Sequence, residues 1–151
     1  MIQILDHKEK GTAEKMLAIQ LPAYQIEAEL IEFEGIPQLN DTPQSIMSSE
    51  EVFLGYFEQS ALAGFISYTE TNELIDICRL VVHPNHFRKG IASSLLKDLL
   101  ANKKKSQEVI VSTGAKNNPA IKLYEHFGFV KMEDIEVAPN FFITQLTYRG
   151  E

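Results

Sequence analysis

The strongest restriction on the fold is a change of pattern near the middle of the chain. Val52 to Phe57, Leu62 to Thr69 and Leu74 to Val82 are three strand-like runs in succession, and the polar Glu58-Gln59-Ser60 separates the first two, which suits an antiparallel hairpin. After Val82 the runs alternate in kind. Ile91, Leu95 and Leu99, with Ala92, Leu96 and Leu100, form a broad apolar helical face closed by Lys103-Lys104-Lys105. Val109 to Ser112 reads as a buried strand. Asn118 as N-cap, Pro119 at the first helical position and Gly128 as C′ bound a short helix from Pro119 to Phe127. Phe129 to Val137 and Phe141 to Tyr148 follow as two strands turning at Ala138-Pro139-Asn140. Before the hairpin, Met1 to Leu5 reads as a short strand. Ala13, Met16, Leu17 and Gln20 give helical spacing over Lys8 to Gln20, and Pro22 predicts a break before a second helix from Tyr24 to Ile31. Thr42-Pro43-Gln44-Ser45 has the form of a helix entry, and the stretch from 32 to 41 carries no assignable pattern. The order β-α-α-β-β-β-α-β-α-β-β predicts an α/β sandwich, a mixed sheet between helices.

At 151 residues, 44% hydrophobic and 23% charged, the chain has the composition of one ordinary globular domain spanning 1–151. No apolar run approaches the roughly 20 residues that cross a bilayer, and the start lacks the basic flank of a signal peptide. The expectation is a cytoplasmic protein with no membrane partner. Cys78 is the single cysteine, so no internal disulfide framework exists, and a small buried strand residue is its plainest role. His83, His86 and His126 lack the spacing of a metal set, so no metal is expected, and His83 is read as ordering its turn. The net charge of −7 argues against nucleic acid as a partner. Its distribution is uneven, with 11 acids and 3 bases in residues 1–60 against 10 acids and 11 bases in 61–151. The first half favours a cation, or simply has solvated acidic helix faces; the second tolerates an anion.

The segment that carries chemistry is the strand-to-helix junction Val82-His83-Pro84-Asn85-His86-Phe87-Arg88-Lys89-Gly90-Ile91-Ala92. Unpaired amides at a helix N-terminus, helped by the dipole and by Arg88 and Lys89, make an anion site suited to a pyrophosphate, and small residues at Gly90 and Ala92 let it approach. The glycine spacing is neither that of a Walker loop nor that of a dinucleotide fingerprint.

Pro84-x-x-x-Arg88-Lys89-Gly90-Ile91-Ala92 after a strand, then Asn117-x-x-Ala120-x-x-Leu123-Tyr124-x-x-x-Gly128-Phe129, resembles the two signature stretches of the GNAT superfamily of acyl-CoA-dependent N-acyltransferases. The close match spans residues 74 to 130. The resemblance implies a GNAT fold, a mixed sheet of about seven strands flanked by about four helices, and acetyl-CoA as co-substrate. It implies pyrophosphate on the amides of Phe87, Arg88, Lys89, Gly90, Ile91 and Ala92, pantetheine beside Leu80, Val81 and Val82, a cofactor contact from Asn117, and Tyr124 facing the sulfur. Phe87 and Arg88 depart from the family, which usually has Gln or Arg and then Gly there. Phe87 is expected to pack and Arg88 to supply charge.

Tyr124 shares a helix face with Ala120, Leu123 and Phe127, so on its own it reads as a core tyrosine; with the resemblance it becomes a general acid for a departing thiolate. Asp76, eleven residues before Phe87, takes the offset of the catalytic Glu of histone-acetylating members and is a candidate base acting through water, or else a carboxylate paired with Arg79. Glu27, Glu29, Glu32 and Glu34 lie in the half where this family builds its acceptor pocket, with Tyr24 and Glu27 the preferred pair. The expected function is acetyl transfer from acetyl-CoA to a primary amine of a small cationic acceptor by direct attack in a ternary complex. The alternative is a non-catalytic acyl-CoA-binding or sensing module. The acceptor's identity and the oligomeric state, a homodimer included, stay open.

Overall fold

The computed structural model describes residues 1–148. Seven strands, β1 (Ile2–Ile4), β2 (Val52–Glu58), β3 (Ala61–Glu70), β4 (Leu74–Val82), β5 (Glu108–Gly114), β6 (Phe129–Ala138) and β7 (Phe141–Tyr148), form one sheet in the order β1-β2-β3-β4-β5-β7-β6. The helices are α1 (Lys10–Ile31), α2 (Pro43–Met47), α3 (Ile91–Asn102) and α4 (Asn118–His126). Among the described residues only β4 and β5 pair in parallel, and the crossover that parallel pairing requires carries α3. No described helix is long and apolar enough to cross a membrane.

The core is in two parts, one on each face of the sheet. Ile91, Leu95, Leu96 and Leu99 of α3, with Ile121 and Tyr124 of α4, pack on Ile66, Ile75, Ile77 and Val111. Ala13, Met16, Ile19 and Tyr24 of α1, with Ile46 of α2, pack on Phe53, Phe65 and Val81. α1 corrects the predicted break, because it runs through Pro22 as a single helix. A helix-interior proline costs about 3 kcal/mol by removing one backbone bond and crowding the preceding turn. Here burial of Met16 and Ile19 before it and Tyr24 and Ile31 after it, on one sheet face, outweighs that cost.

Two features of β4 open the sheet. Ser67 faces Arg79 and Tyr68 faces Ile77, so Cys78 is an extra residue in a bulge. The bulge reverses the alternation. Ile75 and Ile77 belong to the α3 side, whereas Val81 belongs to the α1 side and Leu80 and Val82 turn to α3. The pairing of β4 with β5 also ends there, at Ile77 and Val111, although β4 continues to Val82 and β5 to Gly114. Beyond Cys78 the two strands part.

Candidate active site

Two cavities lie on either side of that parting. The larger, about 700 Å³, runs between α1, the end of β4 and the start of α3. The other, about 480 Å³, is enclosed by α1, the segment that follows it, β4, β5 and β7. Glu27, Leu80, Asn117, Ala120 and Tyr124 line both, so these residues mark a junction through the opened sheet.

The larger cavity has the groups an acyl-CoA needs. The first backbone bond of α3 runs from the Ser94 amide to the Gly90 carbonyl, 3.0 Å, which leaves the amides of Ile91, Ala92 and Ser93 without helical partners. No side chain caps this end. Arg88 and Gly90 both take left-handed backbone (φ 65° and 75°), and a Cβ at Gly90 would meet nothing within 4 Å. Leu80, Val81 and Val82, with Ala23, Ile26 and Leu30 of α1, supply an apolar wall for a pantetheine arm. The α1 part of this wall escaped the sequence reading, since nothing local ties that helix to the loop.

Two expectations for the loop change. Phe87 packs only in part; it ends the short 3-10 turn Pro84–His86 in extended conformation and stands 45% exposed at the cavity rim. Lys89 turns away, its Nζ donating to Glu58 Oε1 at 2.9 Å, and is not part of the lining. His83 orders the turn as predicted, its Nδ1 accepting from the Asn85 amide at 3.0 Å.

At the junction, Tyr24, Glu27 and Ile31 fall at i, i+3 and i+7 on the inner face of α1. Tyr124 is buried against Phe129, ring centroids 5.2 Å apart. Burial first, then the Glu27 carboxylate, pushes both phenols well above their ordinary range, and Glu27 itself is raised by desolvation. Cys78 is pushed up to about 11, chiefly by burial. Asn117, not Asn118, is the N-cap of α4: its Oδ1 accepts from the Ala120 amide at 3.2 Å, and Pro119 occupies a first-turn position where a missing N–H costs nothing.

Asp76 lies elsewhere. It is partly buried opposite Thr69 and Ile110, raised by desolvation and then by Glu51, and lines neither cavity. It is not the partner of Arg79 either. Arg79 Nη1 donates to Gln20 Oε1 and Asp41 Oδ2, both at 2.9 Å, and its Nε stands 3.2 Å from Glu51 Oε1 as an ion pair without hydrogen-bond alignment. This buried cluster was not anticipated. The one available signal was an arginine in the middle of a mostly apolar strand whose other charged residue is Asp76.

A family model described as "Acetyltransferase (GNAT) domain" matches residues 7–146, and the chain belongs to this GNAT acetyltransferase family. It is 43% identical over 138 residues to the Bacillus subtilis (strain 168) protein called "UPF0157 protein YqkA". That match covers 91% of this chain and 40% of the relative, so the chain spans well under half of the relative's length. Among solved structures, an N-acetyltransferase from Staphylococcus aureus matches with a TM-score of 0.75 at 18% identity, covering 97% of this chain and 96% of that one. The PaiA N-acetyltransferase of Thermoplasma acidophilum, solved in complex with coenzyme A, matches with a TM-score of 0.71 at 23% identity, covering 98% and 99%. These likenesses establish a GNAT-like fold.

Proposed function

We propose that the chain transfers an acetyl group from acetyl-CoA to a primary amine by direct attack, with Glu27 as base and Tyr124 as acid. The observation that carries this reading is the junction, where a channel suited to an acyl-CoA and a second cavity meet at those two side chains. Acetyl-CoA brings the activated thioester; Arg88 to Ala92 and Leu80 to Val82 bind it, and Asn117 borders its reactive end.

An ammonium with a lysine-like pKa costs about 4 to 5 kcal/mol to present neutral at pH 7, so a base at the point of attack matters. Glu27 meets this need better than Asp76, because it lines both cavities and desolvation raises its proton affinity toward that of the amine. Glu27 takes the amine's proton as the new C–N bond forms. Tyr124 gives its phenolic proton to the sulfur as the C–S bond breaks and regains one from solvent. Its raised pKa keeps it protonated.

Thiol release from acetyl-CoA, followed over a panel of amines with mass detection of the acetylated product, tests the reading. Amine-dependent release above background supports it. Binding of acetyl-CoA without amine-dependent release would leave a non-catalytic acyl-CoA-binding module.

A further inference from the structure

We infer that the acceptor is a monoamine carried on an apolar body, such as an arylalkylamine, rather than a polyamine or another polycation. The inference rests on the proposed acyl transfer and concerns what the second cavity holds. The acidic first half had suggested a cationic acceptor, but folding sends its carboxylates to different places. Glu29, Glu32 and Glu34 line a neighbouring cavity that shares only Phe33 with the second one. Of the acids grouped around Glu27 in the sequence, Glu27 alone faces the junction.

The remaining charged group in the lining is Arg79, and it is already engaged by Asp41, Glu51 and Gln20. It neither repels a nearby ammonium as a free cation would nor offers a donor fork to an anionic acceptor. Most of the remaining wall is apolar, with Ile31, Ile36, Val137 and Ile143 beside an aromatic pair, Phe33 and Phe141, stacked at 3.8 Å and 7°. This wall is held in place. Gln20 Nε2 donates to Gln38 O at 2.9 Å and to Asp41 Oδ2 at 2.6 Å, tying the 3-10 turn Pro37–Asn40 to α1 and, through Arg79, to β4.

One ammonium therefore finds one carboxylate, at the place where the acyl group arrives. A second ammonium on the same molecule would lie against Phe33, Ile36 or Phe141 with no counter-charge in the lining, and desolvating an unpaired charge is far more costly than leaving an apolar group there. An apolar body gains what the polycation loses.

The test is calorimetric titration of the chain saturated with CoA, using 2-phenylethylamine and spermidine as probes. The expected result is binding of 2-phenylethylamine at least about tenfold tighter than spermidine, with Phe33→Ala weakening it by about tenfold, the range one aromatic contact spans. Unchanged CoA affinity in Phe33→Ala certifies the fold, and Phe33→Leu should keep most of the affinity. Spermidine binding as tightly or tighter, no binding of either amine, or no effect of Phe33→Ala would overturn the inference. The transfer assay separates the two readings: bound 2-phenylethylamine that is never acetylated refutes the catalytic reading and leaves the cavity assignment intact, whereas preferred acetylation of spermidine does the reverse.

Discussion

In the proposed reading the donor channel would take its polar contacts from backbone amides at one turn, Arg88 and Gly90 to Ser93, whereas the acceptor cavity would be assembled from side chains of α1, the Pro37–Asn40 turn, β4, β5, α4 and β7. A site made of amides tolerates exchange of side chains around it. Phe87 and Arg88 therefore depart from the family pattern while the left-handed turn and the free α3 amides persist. A site made of side chains changes with each substitution. Charge follows the same division, with a cationic Arg88 and a helix N-terminus at the channel and a single carboxylate, Glu27, at the junction.

The largest effect expected is at Tyr124, one of the residues both sides share. Tyr124→Phe keeps the ring beside Phe129 and removes the hydroxyl. Stability should change little while kcat falls by about 10² to 10⁴, the usual worth of a positioned proton transfer, or about 3 to 5 kcal/mol. Full kcat with chemistry rate-limiting would return Tyr124 to the core.

Arg79→Met acts on the acceptor side alone. It leaves the part-buried Asp41 and Glu51 without their cation, and since breaking a fully buried pair costs about 3 to 5 kcal/mol, the loss should be at or below the lower end of that range. Denaturant unfolding should register that loss, and the amine KM should rise because the Pro37–Asn40 turn loses an anchor. CoA affinity should hold. If CoA binding weakened to the same degree, the two cavities would not be energetically separable.

Glu27→Gln should lower kcat/KM by roughly 100-fold near neutral pH, with the deficit shrinking at alkaline pH as the amine loses its proton unaided. Stability should move the other way. The folded-state pKa of Glu27 is raised, so the fold favours its protonated form; its contribution is present below the ordinary carboxylate range and is lost as pH rises through the raised value. At neutral pH the glutamine variant should thus be the more stable protein, and at strongly acid pH the two should coincide. A pH-independent loss of activity would remove Glu27 as base and reopen the case for Asp76.

On the donor side, Gly90→Val places a branched side chain where the backbone is left-handed (φ 75°) and in the open space that the proposed reading gives to the phosphate. CoA affinity should fall by about tenfold with the amine KM little changed. Equal affinity by calorimetry would move the pyrophosphate away from these amides.

The same division explains what the sequence reveals. The donor channel is legible because its determinants are consecutive: a strand, a turn, two small residues and a helix start can be read from Leu80 to Ala92 as they stand. The β2–β3 hairpin and β4 are legible for the same reason, and so is the Thr42 cap, which the structure completes with a reciprocal bond from Ser45. What fails is decided by tertiary contact. α1 survives Pro22 only because the sheet holds both of its halves, and Arg79 turns toward Gln20 only because the Cys78 bulge reverses the strand's parity. The separation of Glu27 from Glu29, Glu32 and Glu34 depends on which face of α1 meets the sheet, and packing rather than local pattern decides that.

The smallest effect concerns the border of the donor side. Lys89 precedes Gly90, yet its ammonium is tethered to Glu58, whose carboxylate is held below the usual range chiefly by that hydrogen bond, with the charges of Lys89 and His86 adding to it. Because the folded pKa of Glu58 is depressed, the tether is intact above the ordinary carboxylate range and is lost only as pH falls through the depressed value. Glu58→Gln should therefore free Lys89 at neutral pH to swing toward Arg88 and the α3 amides. The pair is exposed, so the gain in CoA affinity should be less than about threefold and should vanish at high salt. Calorimetry with CoA at low and at high salt distinguishes the outcomes. A salt-sensitive gain means that the tether holds a charge in reserve beside a site built mainly from backbone, whereas a loss of affinity means that Glu58 and Lys89 hold the loop in shape and that side chains contribute to the donor channel after all.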